Sequence, residues 1–297
     1  MKYNKIWYGV VAFMLLMLAS CNPIQSNDGT LGPLLAVSQI KLDVHATTTG
    51  GNQIVMINNT PNTAGMWLTG VGTSTNQTDT VLLPFLGTNT IYFYATTAGG
   101  IVKDSTTINI TIIDHPLAPQ WEYLAGSGAA GKTWVWATDV TSSYNGMCYG
   151  NGGYLSDNGT TWWANGLSSL QGWGVANDQM TFDLNGSANI TLTTGNSQVN
   201  KGLPAGTYHG SFKFDMSQTL TSTNPPSATG NSTWAIGTLT LTGTTVSLGY
   251  QPNVAGYPSI YTYDILFLDD NKMILAAEDP TGGAWFWIFK RQGYTFP

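Results

Sequence analysis

Tyr154, Trp162, Trp163 and Trp173 lie in one glycine- and asparagine-rich stretch, and they are the side chains of this sequence best suited to hold a ligand. They fall between residues 138 and 177, where the strand rhythm of the remainder breaks, beside Tyr144 and the run Tyr-Gly-Asn-Gly-Gly-Tyr at 149–154. A loop has little core of its own to supply, so large rings there either plug the end of a sheet or stand as platforms. The C–H face of a pyranose is apolar and slightly positive and matches the negative face of an aromatic ring. Nearby Asn, Asp and backbone groups can hydrogen-bond the sugar hydroxyls. These four residues are therefore the candidate carbohydrate contacts. Trp162 and Trp163 are adjacent, so in an extended strand they point to opposite faces, and only one is expected to be exposed.

The inventory for catalysis is thin. Glu122 and Glu278 are the only glutamates of the chain, and no Glu-x-Asp-x-x-Glu strand, the arrangement of jelly-roll retaining glycosidases, occurs. Glu278 and Asp279 diverge as neighbours in a strand, and Pro280 marks a turn after them. A pair assembled from distant residues, such as Asp264 with Glu278, stays open. His45, His115 and His209 are scattered without metal-ligand spacing. Asp269-Asp270-Asn271 reads as a hairpin turn before it reads as a Ca²⁺ site, and no Gly-x-Ser-x-Gly elbow exists. No catalytic residue, metal or cofactor is assigned.

The elements that must position the rings follow from composition. Of 297 residues only 9 % are charged, against roughly 25 % in an average soluble domain, whereas Gly numbers 35 and Trp 11. Exposed helix faces need Glu, Lys and Arg, so helical bundles are excluded and an all-β chain is expected. A net charge of -6 with a single arginine, Arg291, leaves no footprint for a nucleic-acid partner.

Lys2 and Lys5 precede an apolar run over 6–19 that ends in Leu18-Ala19-Ser20-Cys21. This resembles the bacterial lipoprotein signal, and the resemblance implies cleavage before Cys21 and lipidation of that residue, a membrane partner through its acyl chains. Asn22, where an Asp would retain the protein at the inner membrane, implies outer-membrane sorting by the same resemblance. Cys148 is then left without an intrachain partner and is expected to be buried.

Residues 1–21 form the leader and lipobox, and 22–34 a flexible spacer. Short strand signals at 40–44, 53–57, 78–83, 89–94 and 104–113 predict an immunoglobulin-like sandwich over 35–114, with Trp67 in its core. Met66-Trp67, Gly70-Val71-Gly72, the strand from Gly87 and Ala98-Gly-Gly-Ile-Val resemble the PKD domain, although Val71 stands where that family usually has Asp. The resemblance implies a spacer or weak binding module. Asp114-His-Pro-Leu-Ala-Pro119 is a boundary.

Residues 115–297 hold nine tryptophans. Ten strands are predicted, at 121–124, 132–137, 179–184, 189–193, 207–215, 233–241, 245–250, 261–267, 272–277 and 284–290, with no competing helical stripe. A larger jelly-roll-like sandwich is expected, a barrel being the alternative. Trp134, Trp136, Trp285 and Trp287 read as core, the strand holding the last two being buried on both faces.

Lipobox, spacer, PKD-like module and Trp-rich β domain in that order resemble the surface glycan-binding lipoproteins of Bacteroidetes polysaccharide-utilisation systems. That resemblance implies a non-catalytic protein on the outer membrane that holds a polysaccharide or oligosaccharide beside an importer complex. Two alternatives are a divergent glycoside hydrolase on a jelly-roll scaffold and a lipocalin-like barrel binding an apolar ligand.

Overall fold

The computed structural model describes residues 32–140, 146–222 and 233–297. Cys21 with its leader, the first part of the spacer and Tyr144 lie outside them. The described chain is almost all β.

The first module is two facing antiparallel sheets. One is ordered β1 (Leu42–Ala46), β2 (Gln53–Asn58), β5 (Thr78–Leu82); the other β4 (Gly72–Ser74), β3 (Ala64–Thr69), β6 (Gly87–Thr97), β7 (Gly100–Ile110). Burial alternates along β2 and β6, as a period-2 strand with one wet face requires. Ile54, Met56, Ile91 and Phe93 meet between the sheets around Trp67, which is fully buried, 4.5 Å from Phe93 between ring centroids. The indole N–H of Trp67 donates to the Asn76 carbonyl (3.1 Å), so its polar edge is satisfied.

The second module is a closed barrel. Eight strands follow one another around it in chain order: β8 (Lys132–Trp136), β11 (Gln179–Asp183), β12 (Asn189–Thr194), β13 (Gly206–Asp215), β16 (Gly237–Thr242), β17 (Thr262–Leu268), β18 (Lys272–Asp279) and β19 (Gly283–Arg291). Closure comes from β19, whose Phe289–Arg291 half pairs with β8 while its Gly283–Trp287 half pairs with β9 (Tyr149–Gly153). β10 (Trp163–Asn165) continues the sheet beyond β9, and β14 (Leu220–Thr221) with β15 (Thr233–Ala235) makes a separate ribbon.

The jelly-roll-like sandwich expected for 115–297 is thereby corrected. Alternating strands look the same in a sandwich and a barrel, and what separates them is one long-range pairing, β8 with β19, which leaves neither strand as an open edge. Two strand predictions also fail. Pro119 opens the helix α1 (Pro119–Leu124), since a fixed φ suits a first helical turn. Residues 245–250 run as a turn segment, with Leu248 at φ 53°.

Inward positions fill the barrel. Trp134, Trp136, Trp287, Tyr263 and Phe182 are fully buried, and each such ring contributes ~1.5–3 kcal/mol of burial free energy. Cys148 is buried as well. Trp285, Phe286, Trp287 and Ile288 are all buried, so β19 is covered on both sides as its sequence predicts. The outer cover is a cluster of Trp234, Ala235, Ala276, Ala284 and Phe286.

The barrel's two ends differ. At the end carrying the β11–β12 and β17–β18 connections, α1 acts as a plug: the Leu124 carbonyl accepts from the Trp134 indole (2.8 Å), and Lys132 donates to the carbonyls of Glu122 and Tyr123. The first module docks at this same end. Its Phe85 joins the barrel core, edge-on to Trp121 at 5.8 Å, and Leu86 exchanges backbone hydrogen bonds with Leu184 and Gly186. The opposite end, formed by the β12–β13, β16–β17 and β18–β19 connections, faces away from the first module.

Candidate functional site

At that far end the sheet beyond β19 brings indoles together. Glycines in β9 allow it, because a Cβ at Gly150 would collide with the Trp163 carbonyl and one at Gly152 would stand 2.7 Å from the Gly159 carbonyl. β10 can therefore lie close enough to place Trp163 on the barrel's inner face, opposite Asn151 in register. Helix α2 (Leu167–Gly172) follows and sets Trp173 beside it, and the Trp173 carbonyl is held by Ser197 through both its N–H and its hydroxyl (3.0 Å each).

Trp163 and Trp173 lie 6.5 Å apart with planes 31° from parallel. Behind them Trp285 is edge-on to Trp163 at 5.7 Å, and Tyr149 stacks on Trp285 at 5.4 Å. Trp163 keeps 47 % of its surface in water, Trp173 is half-buried, and Trp285 is buried. The result is a ring cluster that is dry at its base and open at its rim.

Polar groups rim the same end. Asp279 accepts hydrogen bonds from the Trp285 indole (2.7 Å), the Asn253 amide (2.5 Å) and the Thr281 N–H and hydroxyl (2.9 Å each). Burial works against this carboxylate, but the bonds from Thr281, Trp285 and Asn253 outweigh it and hold its pKa below the usual value. The carbonyl oxygens of the Asn151 and Gln251 side chains are buried and have no partner among the described residues. Asn151 stands opposite both Trp163 and Trp285 in register, and neither of these two oxygens is open to solvent.

The other two candidate residues stand elsewhere. Trp162, the residue before β10, is 61 % exposed and leans on the β18–β19 turn, where a Cβ at Gly283 would come within 2.6 Å of its ring. Both members of the Trp162-Trp163 pair are thus open to water, against the expectation of one, because β10 is an edge strand with neither face fully covered. Tyr154 lies on the outer wall, edge-on to Trp234 at 5.0 Å. Burial, then the nearby Asp264 and Glu278, raise its pKa.

Asp264 and Glu278 share that outer wall. Asp264 pairs with Ala276, two residues from Glu278 along β18, which makes the carboxylates diagonal neighbours, about 7–8 Å apart at the backbone. Burial first, then the Glu278 charge, pushes Asp264 up to about 6. Glu278 is exposed and Asp279 turns inward, as neighbours in a strand must. The Asp269 carboxylate accepts from the N–H groups of Asn271 (2.8 Å) and Lys272 (2.7 Å), the bonding of a turn. Among the described residues no group of three or more His, Cys, Asp or Glu converges.

Sequence reasoning missed Asn151, Gln251, Asn253 and Asp279. The first lies between glycines in the aromatic run, the one local signal available, whereas the others reach the rim only through barrel closure.

Fold and site together define an all-β protein in which a two-sheet module caps one end of an eight-stranded antiparallel barrel and an indole cluster occupies the other. Comparison of the sequence with protein-family models and with curated proteins finds no match.

Proposed function

We propose that this protein is a non-catalytic glycan binder, tethered to the outer membrane through a lipidated Cys21, which receives a polysaccharide at the open end of its barrel. The observation that carries the reading is the pairing of Trp163 and Trp173, tilted 31° apart and partly open to water. A sugar ring on Trp163 covers apolar surface that water otherwise wets.

The topology supports outward presentation. The chain's N-terminal side enters through the first module, which we assign to the PKD type as a spacer, and the indole end of the barrel points away from it. A tether at Cys21 therefore leaves the rings facing a polymer, or an importer complex that shares it. For the apolar-ligand alternative the closed barrel is the favourable feature, but Trp134, Trp136, Trp287 and Tyr263 occupy its interior. For the hydrolase alternative the favourable feature is the Asp264–Glu278 pair, in which burial and the neighbouring charge raise the pKa of Asp264.

The test is a glycan array followed by calorimetric titration on the chain from residue 22 onward, with reducing-end release measured in parallel. Trp163→Ala should weaken the best ligand by ten- to hundredfold, the equivalent of ~1.5–3 kcal/mol of lost apolar burial, without lowering the melting temperature. Blank arrays together with retention of a fluorescent fatty acid would overturn the reading. Reducing-end release that disappears in Asp264→Asn would replace it with the hydrolase.

A further inference from the structure

The two modules leave a second cleft where they meet, at the end of the barrel opposite the indoles. It encloses about 410 Å³ beside the Leu86–Asn185 bridge, inside the range of about 300–1,000 Å³ typical of small-molecule sites. Phe85 and Phe212 form its floor, Thr88 and Thr90 of β6 one wall, and Ser187 with Ser211 the other.

The cleft is built open. Gly70 takes the close approach of Phe85, since a Cβ there would lie 2.5 Å from the ring, and Gly186, at φ +77°, has nothing within 4 Å of where its Cβ would be. Asn89 is committed to the structure, donating to the Phe85 and Gly87 carbonyls (2.7 and 3.0 Å). By contrast the hydroxyls of Thr88, Thr90 and Ser211 bond to no other described residue. Ser187 donates to Asn189 (2.5 Å), which leaves its oxygen free to accept.

Among the described residues nothing ionisable lines this space. An anion or cation entering it would lose water without meeting a counter-charge, which is costly. A neutral ligand rich in hydroxyl groups meets the opposite situation, because three unspent hydroxyls can each donate and accept above the apolar floor of Phe85 and Phe212. From this we infer that the cleft is a second binding site, for a short neutral oligosaccharide held between the modules. It shares no residue with the Trp163–Trp173 cluster, so it stands or falls separately from the function proposed above.

The experiment uses the chain from residue 22 onward carrying Trp163→Ala, which weakens the far end ten- to hundredfold, and titrates it calorimetrically with maltohexaose, laminarihexaose, xylohexaose and, as a charged control, hexagalacturonate. The expected result is saturable one-to-one binding of at least one neutral probe and none of the acidic one. Thr90→Trp added to this background fills the space and should reduce affinity at least tenfold, and Ser211→Ala, which removes a single hydroxyl, several-fold. Both positions are exposed, and unchanged melting temperatures would establish that the fold is intact. The inference is overturned if no neutral probe binds the Trp163→Ala protein, or if Thr90→Trp binds it as well as its parent. Failure of the function proposed above reads differently: wild type and Trp163→Ala would then bind every probe alike.

Discussion

Truncating Phe85 to alanine tests whether the two modules fold as one unit. Phe85 is supplied by the first module yet is 6 % exposed inside the barrel's core cluster, edge-on to Trp121. Removing a buried phenylalanine ring costs ~3–5 kcal/mol, and most of that loss falls on the docking contact, since Ile54, Trp67 and Phe93 of the first module's own core are untouched. What remains between the modules is chiefly the two backbone bonds of Leu86 and the two bonds between the Asn52 side chain and the His115 backbone, each worth ~0.5–1.5 kcal/mol. In scanning calorimetry the wild-type chain should unfold in a single transition. Phe85→Ala should split it, with the barrel's melting temperature lowered by roughly 6–20 °C, taking ~2–4 °C per kcal/mol for a module of this size. Ile101→Ala, at an exposed position, is the control and should change little. A Phe85→Ala loss under about 1 kcal/mol, or a fragment of residues 116–297 as stable as the barrel in the whole chain, would refute the coupling.

Further predictions concern single residues. Asp264 has its folded pKa raised from the ordinary 3.8 to about 6, so its ionisation opposes folding as pH rises between those values; Asp264→Asn should stabilise the protein at pH 8 and not at pH 3.5, which urea titrations at the two pH values check. Equal effects at both would dismiss the burial explanation. Gly150→Ala forces β10 away from β9 and should cost ~1–3 kcal/mol by overpacking while weakening glycan binding; thermal melts and titration measure the two, and an unchanged melting point would count against the close approach. Burial raises the Cys148 thiol to about 12, so a thiol-specific disulfide reagent at pH 8 should label it only after denaturant is added. Prompt labelling of the native protein would contradict its placement.

Much of the architecture is readable one residue at a time. The shortage of charge rules out helices with solvated faces, and alternation along 53–57 and 89–94 marks strands whose inner residues, Ile54 and Phe93 among them, are buried as the period requires. Trp67, Trp134, Trp136, Trp285 and Trp287 are core for the same local reason. Of the four candidate rings, two reach a common place and two do not. Tyr154 and Trp163 both follow the β9 glycines, but Tyr154 turns to the outer wall and Trp163 to the inner face, a division set by how β9 lies against β19.

The chain's composition and period-2 patterning determined by themselves that it would be β and which strand side chains would leave water, because these depend on each residue and its immediate neighbours. Tertiary structure alone decided that β8 closes on β19, that α1 and Phe85 seal one end, and that Asn151 and Asp279 meet Trp285 behind Trp163 at the other. Those outcomes hinge on pairings between strands far apart in the chain. One residue of shift in such a pairing exchanges the inner and outer faces, and no local pattern records which register wins.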